Sequence, residues 1–274
     1  MRINANIAAL NASRNLSVTN SQLGKSLEKL SSGYRINRAA DDAAGLAISE
    51  GLRSEIRGSA QAQRNAQDGI SFLQTAEGAL TEVHSMLQRM RELAVQAANS
   101  TSDGTAEGAE VTELSTEITA IGARTKFSGI SVFSDFSTTA LNFQVSANSA
   151  TAEQVSIATD LTLSATNVGG VDLTALDLST DAGAQAALDN LDTAIKSIST
   201  TRATLGSVQN RLEHTVANLG VAVENLTASE SRIRDVDMAE EMVTYTRNSI
   251  LSQAGTAMLA QANQVPQGIL QLLR

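Results

Sequence analysis

Residues 191–236 read LDTAIKSISTTRATLGSVQNRLEHTVANLGVAVENLTASESRIRDV, and a seven-residue repeat runs through the whole stretch. Large apolar residues recur every seven positions, and a small or β-branched residue follows three positions after each. The large row is Leu191, Ile198, Leu205, Leu212, Leu219, Leu226 and Ile233, and the second row is Ala194, Thr201, Val208, Thr215, Ala222, Ser229 and Val236. This spacing puts both rows on one side of a helix and is typical of coiled-coil-like packing.

A matching pair of rows lies in the first half of the chain. Its rows are Leu73, Leu80, Leu87 and Ala94, and Ala76, Val83, Met90 and Ala97. After a loop predicted at Ser100–Gly108, a shorter helix repeats the pattern with Val111, Leu114, Ile118 and Ile121. Three such seams in one chain predict an elongated, coiled-coil-like bundle of three helices, the first running from about Asp41 to Asn99. We expect Leu73, Leu80, Leu87, Leu205, Leu212, Leu219 and Leu226 to form its seam.

Between the helices the period changes from seven to two. Leu141, Phe143 and Val145 alternate with polar residues, and so do Val155 and Ile157. The turn-like stretch between these two runs predicts a β-hairpin near residues 140–160. Residues 161–183 are rich in Thr, Ser, Asp and Gly, which indicates an exposed loop or irregular β structure.

The composition agrees with helices packed side by side. Aromatic residues make up 3% of the 274-residue chain, Trp is absent and Pro occurs once. Since large rings supply much of the buried area of a compact core, this core must be built from aliphatic side chains. There is no Cys, which excludes disulfides and thiolate chemistry.

The formal net charge is −9, but the charges are unevenly distributed. Residues 1–40 hold six basic residues and one acidic residue, whereas residues 101–190 hold twelve acidic and two basic residues. A basic start can indicate nucleic-acid binding or a transit peptide. The acidic whole chain without stacking aromatics argues against nucleic acid, and the uninterrupted helical pattern argues against a processing site. We therefore expect no nucleic-acid partner.

Both ends predict amphipathic helices that have no core of their own. The apolar positions are Ile3, Ile7, Leu10, Leu16, Leu23 and Leu30 at the start, and Leu251, Met258, Val265, Ile269 and Leu272 at the end. Residues 248–273 contain no charged residue but hold five Gln, which makes the segment too polar for a membrane span. The two helices could simply pair within one molecule. A charge-free stretch of 26 residues without a solvated face favours further packing against other copies.

Together these patterns predict a mainly α protein with paired terminal helices and a small β-hairpin. Residues 1–40 and 235–274 would form one domain of terminal helices. Residues 41–234 would form a helical rod with the hairpin and a short variable loop at 161–183.

Several long segments resemble bacterial flagellin. At the amino-terminal end they are RINANIAALNASRNLSVTN from Arg2, LSSGYRINRAADDAAGLAISEGLRSEIRG from Leu30, NAQDGISFLQTAEGAL from Asn65 and QRMRELAVQAANST from Gln88. At the carboxy-terminal end they are LGSVQNRLEHTVANL from Leu205 and ILSQAGTAMLAQANQVPQGILQLL from Ile250. Only residues 134–183 lie between the matching regions, so the chain resembles a short flagellin without the outer variable domains.

The resemblance implies a structural subunit that polymerises into the flagellar filament for swimming motility. It implies terminal helices lining a tube, export through the type III apparatus and an extracellular location. The implied partners are further copies of the chain, an export chaperone, the cap protein and the hook–filament junction proteins.

The resemblance also implies a surface for a Toll-like innate immune receptor. Gln88, Arg89, Glu92, Leu93 and Glu110 match the flagellin residues that this receptor recognises in susceptible families. The same charged residues would also serve as helix-surface contacts to a neighbouring subunit.

No catalytic or metal site is predicted, and no cofactor. His84 and His214 are far apart and lie outside any HExxH motif, so they are interpreted as helix-surface or interhelical residues. The adjacent Asp41 and Asp42 point apart on a helix and are better interpreted as a helix cap.

Two other functions are considered beside the filament subunit. A hook–filament junction protein shares related terminal helices, although the QANQVPQGILQLL ending and the QRMRELAV segment favour flagellin. A membrane-active or adhesive helical module is the alternative from another class, for which we expect lipid binding without polymerisation.

Overall fold

The computed structural model describes residues 6–99, 104–136, 140–147 and 154–272, with the backbone alone for residues 265–272. The chain forms two compact units. The first, called the terminal unit, combines Met1–Ile56 with Glu224–Arg274, and the second, called the central unit, is Arg57–Val223. The protein is mainly α-helical, as predicted.

Three helices build the central unit. They are α2 (Ala43–Ala97), α3 (Thr105–Arg124) and α4 (Asp181–Arg234), of which α2 and α4 also contribute residues to the terminal unit. In the central unit α2 and α4 run antiparallel, because Arg91 pairs with Asp192 and Glu77 with Arg202. Their buried cluster contains the seven-residue rows of both helices between Ala66 and Ala97 and between Ala184 and Leu212.

Helix α3 begins earlier than predicted. The loop predicted at Ser100–Gly108 ends at Gly104, whose left-handed φ of 69° terminates the loop and allows the helix to start at Thr105. Glu107 in the first turn places a negative charge near the positive end of the helix dipole. Val111 and Ile118 are buried against the core, as the apolar spacing indicated.

The predicted β-hairpin is present and covers one end of the helical core. Strands β3 (Leu141–Gln144) and β4 (Gln154–Ile157) pair antiparallel, with Phe143 opposite Val155. The Phe143 ring meets the Phe72 ring at 6.1 Å between centroids. A smaller hairpin of β1 (Lys126–Phe127) and β2 (Ile130–Ser131) precedes it, and the positive φ angles of Ser128 and Gly129 form its two-residue turn.

Of the two alternatives for residues 161–183, irregular β structure is observed, whereas the expectation of an exposed loop was wrong. The segment forms β5 (Leu163–Ser164), β6 (Asn167–Val168) and a 3₁₀ turn at Leu173–Ala175, and α4 already begins at Asp181. Its apolar side chains are buried in the core of the central unit: Leu161, Leu163, Val168, Leu173 and Leu178. The segment packs because its apolar residues come in pairs two positions apart, which suits short extended pieces laid against α3.

The terminal unit contains α1 (Ile7–Ser32) and α5 (Met238–Leu272). The Asn6 side chain accepts from the Ala9 amide and caps α1, and Gly33 ends it with a left-handed φ of 75°. A short connection links α1 to α2, and another links α4 to α5. The cap interpretation of Asp42 agrees with the structure, because its carboxylate accepts from the Gly45 amide at the start of α2.

A candidate assembly surface on the terminal helices

Helices α1 and α5 lie antiparallel in the terminal unit and form the terminal helix pair. The Asn6 side chain donates to the Ala262 carbonyl at 2.7 Å, and the Ser252 hydroxyl donates to the Asn20 side chain at 2.8 Å. At the other end Lys29 and Glu241 form an ion pair at 3.6 Å. The pair is therefore held by contacts along its described length.

The two helices approach closely because small residues lie between them. A Cβ atom added at Gly255 would come within 3.2 Å of the Leu16 side chain. Leu16, Leu23 and Leu30 are partly covered by this contact. Helices α1 and α5 thus pair within one molecule, which is the simpler of the two interpretations given for the terminal segments.

A short polar junction connects the helix pair to the ends of α2 and α4 in the same unit. Tyr34 and Asp235 form an isolated antiparallel bridge, and the Arg35 amide donates to the Arg234 carbonyl at 2.7 Å. The Arg234 guanidinium lies 4.8 Å from the Tyr34 ring centre and donates to Glu50 at 2.8 Å. This hydrogen bond lowers the pKa of the Glu50 carboxyl from its ordinary value. Contacts between two chain segments some 200 positions apart thus position the end of α1 and the start of α5.

Pairing does not cover the apolar side chains of the two helices. Of the fifteen large apolar side chains that are exposed among the described residues, ten lie on α1 and α5. We call these ten the apolar face: Ile7, Leu10, Val18, Leu27, Met238, Met242, Val243, Ile250, Leu251 and Met258. Their exposed fractions range from 49% to 65%. A concentration of exposed large apolar side chains on one pair of helices is typical of an interaction site.

On α5 the apolar face includes a shallow depression of about 480 Å³. It is lined by Met242, Val243, Thr246, Arg247, Ile250 and Leu251. All six residues come from one helix, so no second element of the terminal unit closes the depression. It has the shape of a surface that packs against another helix.

The predicted assembly residues therefore divide into three groups. Leu16, Leu23 and Leu30 lie partly covered between the paired helices, whereas Ile7, Leu10, Leu251 and Met258 are exposed on the apolar face. Ile3 and the side chains of Val265, Ile269 and Leu272 lie outside the described part of the chain. The role of all eleven residues in assembly stays a prediction.

The sequence analysis missed six of the ten residues of the apolar face, because it looked for apolar residues in a single row at a strict seven-residue spacing. Val18, Leu27, Met238, Met242, Val243 and Ile250 lie off that row. A broader search would have found Met238 and Met242, which lie four positions apart, and Val243 and Ile250, which form a separate pair seven positions apart.

The predicted seam residues of the central unit are mostly buried. Leu73, Leu80, Leu87, Leu205 and Leu212 are at most 2% exposed. Leu219 in the central unit and Leu226 in the terminal unit are only partly covered, because the buried cluster ends on α4 at Leu212, with Val216 packed at its edge. Two helices without a third layer leave part of each seam residue accessible.

The predicted receptor surface is present in part. Arg89 donates to Glu110 at 2.9 Å and to Glu92 at 3.4 Å, and these three residues and Gln88 are exposed. Leu93, which the prediction placed on this exposed surface, is buried at 3% exposed, and its part in receptor recognition stays a prediction. It lies three residues after Met90 and four before Ala97, which places it on the buried side of α2.

The described residues hold no group of three or more acidic, His or Cys side chains that could bind a metal ion. His84 contacts Gln88 one turn along the same helix at 3.0 Å, and His214 is exposed on α4. Within the same residues, every helix is too short or too polar to cross a lipid bilayer.

Comparisons with known proteins give a consistent result. The family model for the bacterial flagellin N-terminal helical region matches residues 3–138, and the model for the C-terminal helical region matches residues 188–273. A flagellin of Halalkalibacterium halodurans is 53% identical over 277 residues, and a flagellin of Bacillus subtilis is 51% identical over 308 residues. Both alignments cover all of this chain and all of the relative.

Other similar proteins carry related names. The flagellar filament 33 kDa core protein of Treponema phagedenis is 48% identical over 287 residues, again with full coverage of both chains. A crystal structure of Bacillus cereus flagellin is 33% identical, with a TM-score of 0.48, and the match covers 57% of this chain and 88% of that one. Two family models that span both helical ends, and full-length identities near one half, establish that this chain is a short member of the bacterial flagellin family.

Proposed function

We propose that this chain polymerises into the bacterial flagellar filament and that its apolar face forms the contacts between copies. The observation that carries the proposal is the concentration of ten exposed large apolar side chains on the paired terminal helices. The names of the relatives, flagellin and flagellar filament core protein, support a filament subunit.

The size of the apolar face fits an assembly. Full burial of a Leu, Ile, Val or Met side chain contributes about 1.5–3 kcal/mol, so a half-exposed one contributes about 1 kcal/mol when it becomes covered. The face as a whole then contributes on the order of 10 kcal/mol. Association costs roughly 4–15 kcal/mol in lost freedom, which is of the same order. The covered apolar face is therefore large enough to offset the cost of association.

The proposed arrangement has two layers. Residues 1–40 and 235–274 would line the inside of a tube, and residues 41–234 would pack outside them. The charge-free end of the chain supports the inner position, because a segment without charged residues loses little hydration when neighbours surround it.

A structural role rather than catalysis agrees with the descriptions of the relatives. We propose that the chain is not an enzyme and has no cofactor. Of the two alternatives, the hook–filament junction protein receives no support from the names of the relatives. The membrane-active module is disfavoured because twelve of the 26 residues at 248–273 are Gln, Asn, Ser, Thr or Gly, which are unfavourable in lipid.

The proposed route to the filament is export followed by folding at the growing tip. We propose that the chain is secreted through the flagellar type III apparatus, with an export chaperone covering the carboxy-terminal helix before export. The cap and hook–filament junction proteins would be its neighbours at the two ends of the filament. The absence of Cys supports this route, because no disulfide has to be reduced before an unfolded chain passes a narrow channel.

A Toll-like immune receptor is a second proposed partner of the monomer. Gln88, Arg89, Glu92 and Glu110 present an exposed, hydrogen-bonded patch on α2 and α3. Arg89→Ala should reduce signalling by the purified monomer in a receptor reporter assay. A wild-type monomer that gives no signal would reject the proposal.

The filament function is tested in the source bacterium by deleting the gene and viewing the cells by electron microscopy. We expect cells that retain hooks, lack filaments and do not swim, and we expect the wild-type gene to restore both. Filaments of normal length in the deletion strain would contradict the function. Bare hooks accompanied by secreted monomer of another flagellin would indicate the junction protein instead.

A further inference from the structure

A polar groove lies between α1 and α5, next to the apolar face. It encloses about 460 Å³, and the lining residues that carry the argument are Lys25, Ser26, Lys29, Glu241, Arg247 and Asn248. We call it the Asn248 groove. Arg247 and Leu251 line both this groove and the apolar depression on α5, so the two surfaces are continuous.

Two polar residues in the groove are buried without a partner. Ser26 is 4% exposed and Asn248 is 6% exposed. Neither side chain has a hydrogen-bond partner among the described residues, and neither is one of the fully enclosed polar atoms without a partner, which lie on His84, Arg202 and Arg234. The Asn248 amide therefore has a donor and an acceptor that a ligand at the groove can use.

The groove also carries an excess of positive charge. Lys29 is neutralised by Glu241 at 3.6 Å. Lys25 and Arg247 line the same groove, and neither has an acidic partner within 4.0 Å among the described residues. Backbone hydrogen bonds lower the pKa of the Asp41 carboxyl, and Lys25 also lowers it, but from beyond the distance of an ion pair. Two cations without a close acidic partner, beside an amide and a hydroxyl, form a set of donors, and carboxylates are the protein groups that accept from such donors most strongly.

We propose that the Asn248 groove binds an acidic side chain of a second copy of this chain. The inference rests on the proposed function, because it specifies how one copy recognises the next. A copy seated on the apolar face would also cover the groove, since the two surfaces share Arg247 and Leu251. Covering Lys25 and Arg247 without pairing them would remove their hydration at a large cost, so the incoming copy must supply negative charge.

The overall charge of the chain favours a second copy as the source of this carboxylate. The sequence holds 29 acidic residues and 20 basic residues, so every additional copy brings an excess of carboxylates. The apolar contacts would provide the attraction, and the carboxylate in the groove would fix the register between neighbours.

The test measures the extension of short wild-type filaments by added monomer at constant ionic strength. Lys25→Gln/Arg247→Gln monomer should need at least about tenfold more protein for extension, because a charge pair buried between copies is lost. Asn248→Ala should show a smaller loss in the same direction. Arg14→Gln is the matched control, since Arg14 is an exposed cation on α1 outside the groove. Circular dichroism should show the same helix content for all monomers.

A second arm distinguishes a free anion from a neighbouring carboxylate, with inorganic phosphate titrated into the monomer by calorimetry. Groove variants that extend filaments as well as the Arg14→Gln control would overturn the proposal. Phosphate binding that is lost in the groove variants, with extension unchanged, would assign the groove to a free anion and also overturn it. Wild-type monomer that fails to extend wild-type filaments would overturn the proposed function itself, which separates the two failures.

Discussion

Gly104 and Gly108 lie four residues apart at the start of α3, and the structure gives them opposite requirements. Gly104 has a φ of 69°, and a Cβ atom there would overlap the Leu178 carbonyl. Gly108 lies inside the helix, with nothing within 4 Å of the position that a Cβ would take. The effect of a glycine-to-alanine substitution can therefore be compared directly at the two positions.

We predict that Gly104→Ala destabilises the central unit by at least about 2 kcal/mol, because it combines a strained backbone with a steric clash. Gly108→Ala should stabilise it by about 0.5–1 kcal/mol, because alanine favours the helix. Urea denaturation followed by circular dichroism measures both changes. Equal effects of the two substitutions would contradict the described start of α3.

A second prediction at this scale concerns Ile250 on the apolar face, which is 61% exposed. Ile250→Asp should change monomer stability by less than about 1 kcal/mol, because the side chain has few contacts to lose. It should abolish filament extension, because the carboxylate would be buried against a neighbour. Ile250→Leu is the control and should extend filaments normally. Normal extension by the Asp variant, measured by light scattering and electron microscopy, would remove Ile250 from the interface.

At the scale of the elements, the seven-residue rows predicted the helices and the core residues of the central unit. Leu73, Leu80, Leu87, Leu205 and Leu212 are all buried, and the pairing of β3 with β4 was also predicted. The periodicity was informative because long helices repeat the same burial many times.

Short elements were not predictable in the same way. Strands β5 and β6 contain two residues each, which is too short to establish a period. Their polar composition suggested an exposed loop, whereas a few apolar residues bury the segment against α3. The Tyr34–Asp235 bridge joins residues 201 positions apart, and no local pattern in the sequence indicates such a pairing.

The helix α5 is the element on which assembly is proposed to depend. Removing residues 253–274 deletes the Gly255 contact with Leu16 and the Ala262 carbonyl that accepts from Asn6. We predict that the truncated chain does not polymerise, while the thermal unfolding of the central unit stays unchanged. Circular dichroism with temperature and extension of wild-type filaments measure the two properties. Normal filament growth by the truncated chain would exclude residues 253–274 as a required part of the contact.

At the scale of the whole molecule, the distribution of apolar residues separates folding from assembly. The core of the central unit contains buried residues from its three helices and from strands β4, β5 and β6, whereas the terminal helices bury little and expose ten large apolar side chains. A single chain can thus fold its central unit on its own and still leave its terminal helices in need of neighbours. The sequence predicted this need from a charge-free end, but which side chains stay exposed after pairing required the structure.

The dependence of the terminal helices on neighbouring copies is measured most directly with single introduced cysteines, because the sequence contains no native Cys. Single Ile250→Cys and Met258→Cys variants are labelled with a maleimide as monomers and as assembled filaments, with Leu87→Cys as a control that is buried within the chain. Both surface cysteines should react rapidly in the monomer and become protected in the filament, whereas Cys at position 87 should be protected in both. Filaments in which positions 250 and 258 react as fast as in the monomer would show that the apolar face is not covered by assembly and would contradict the account.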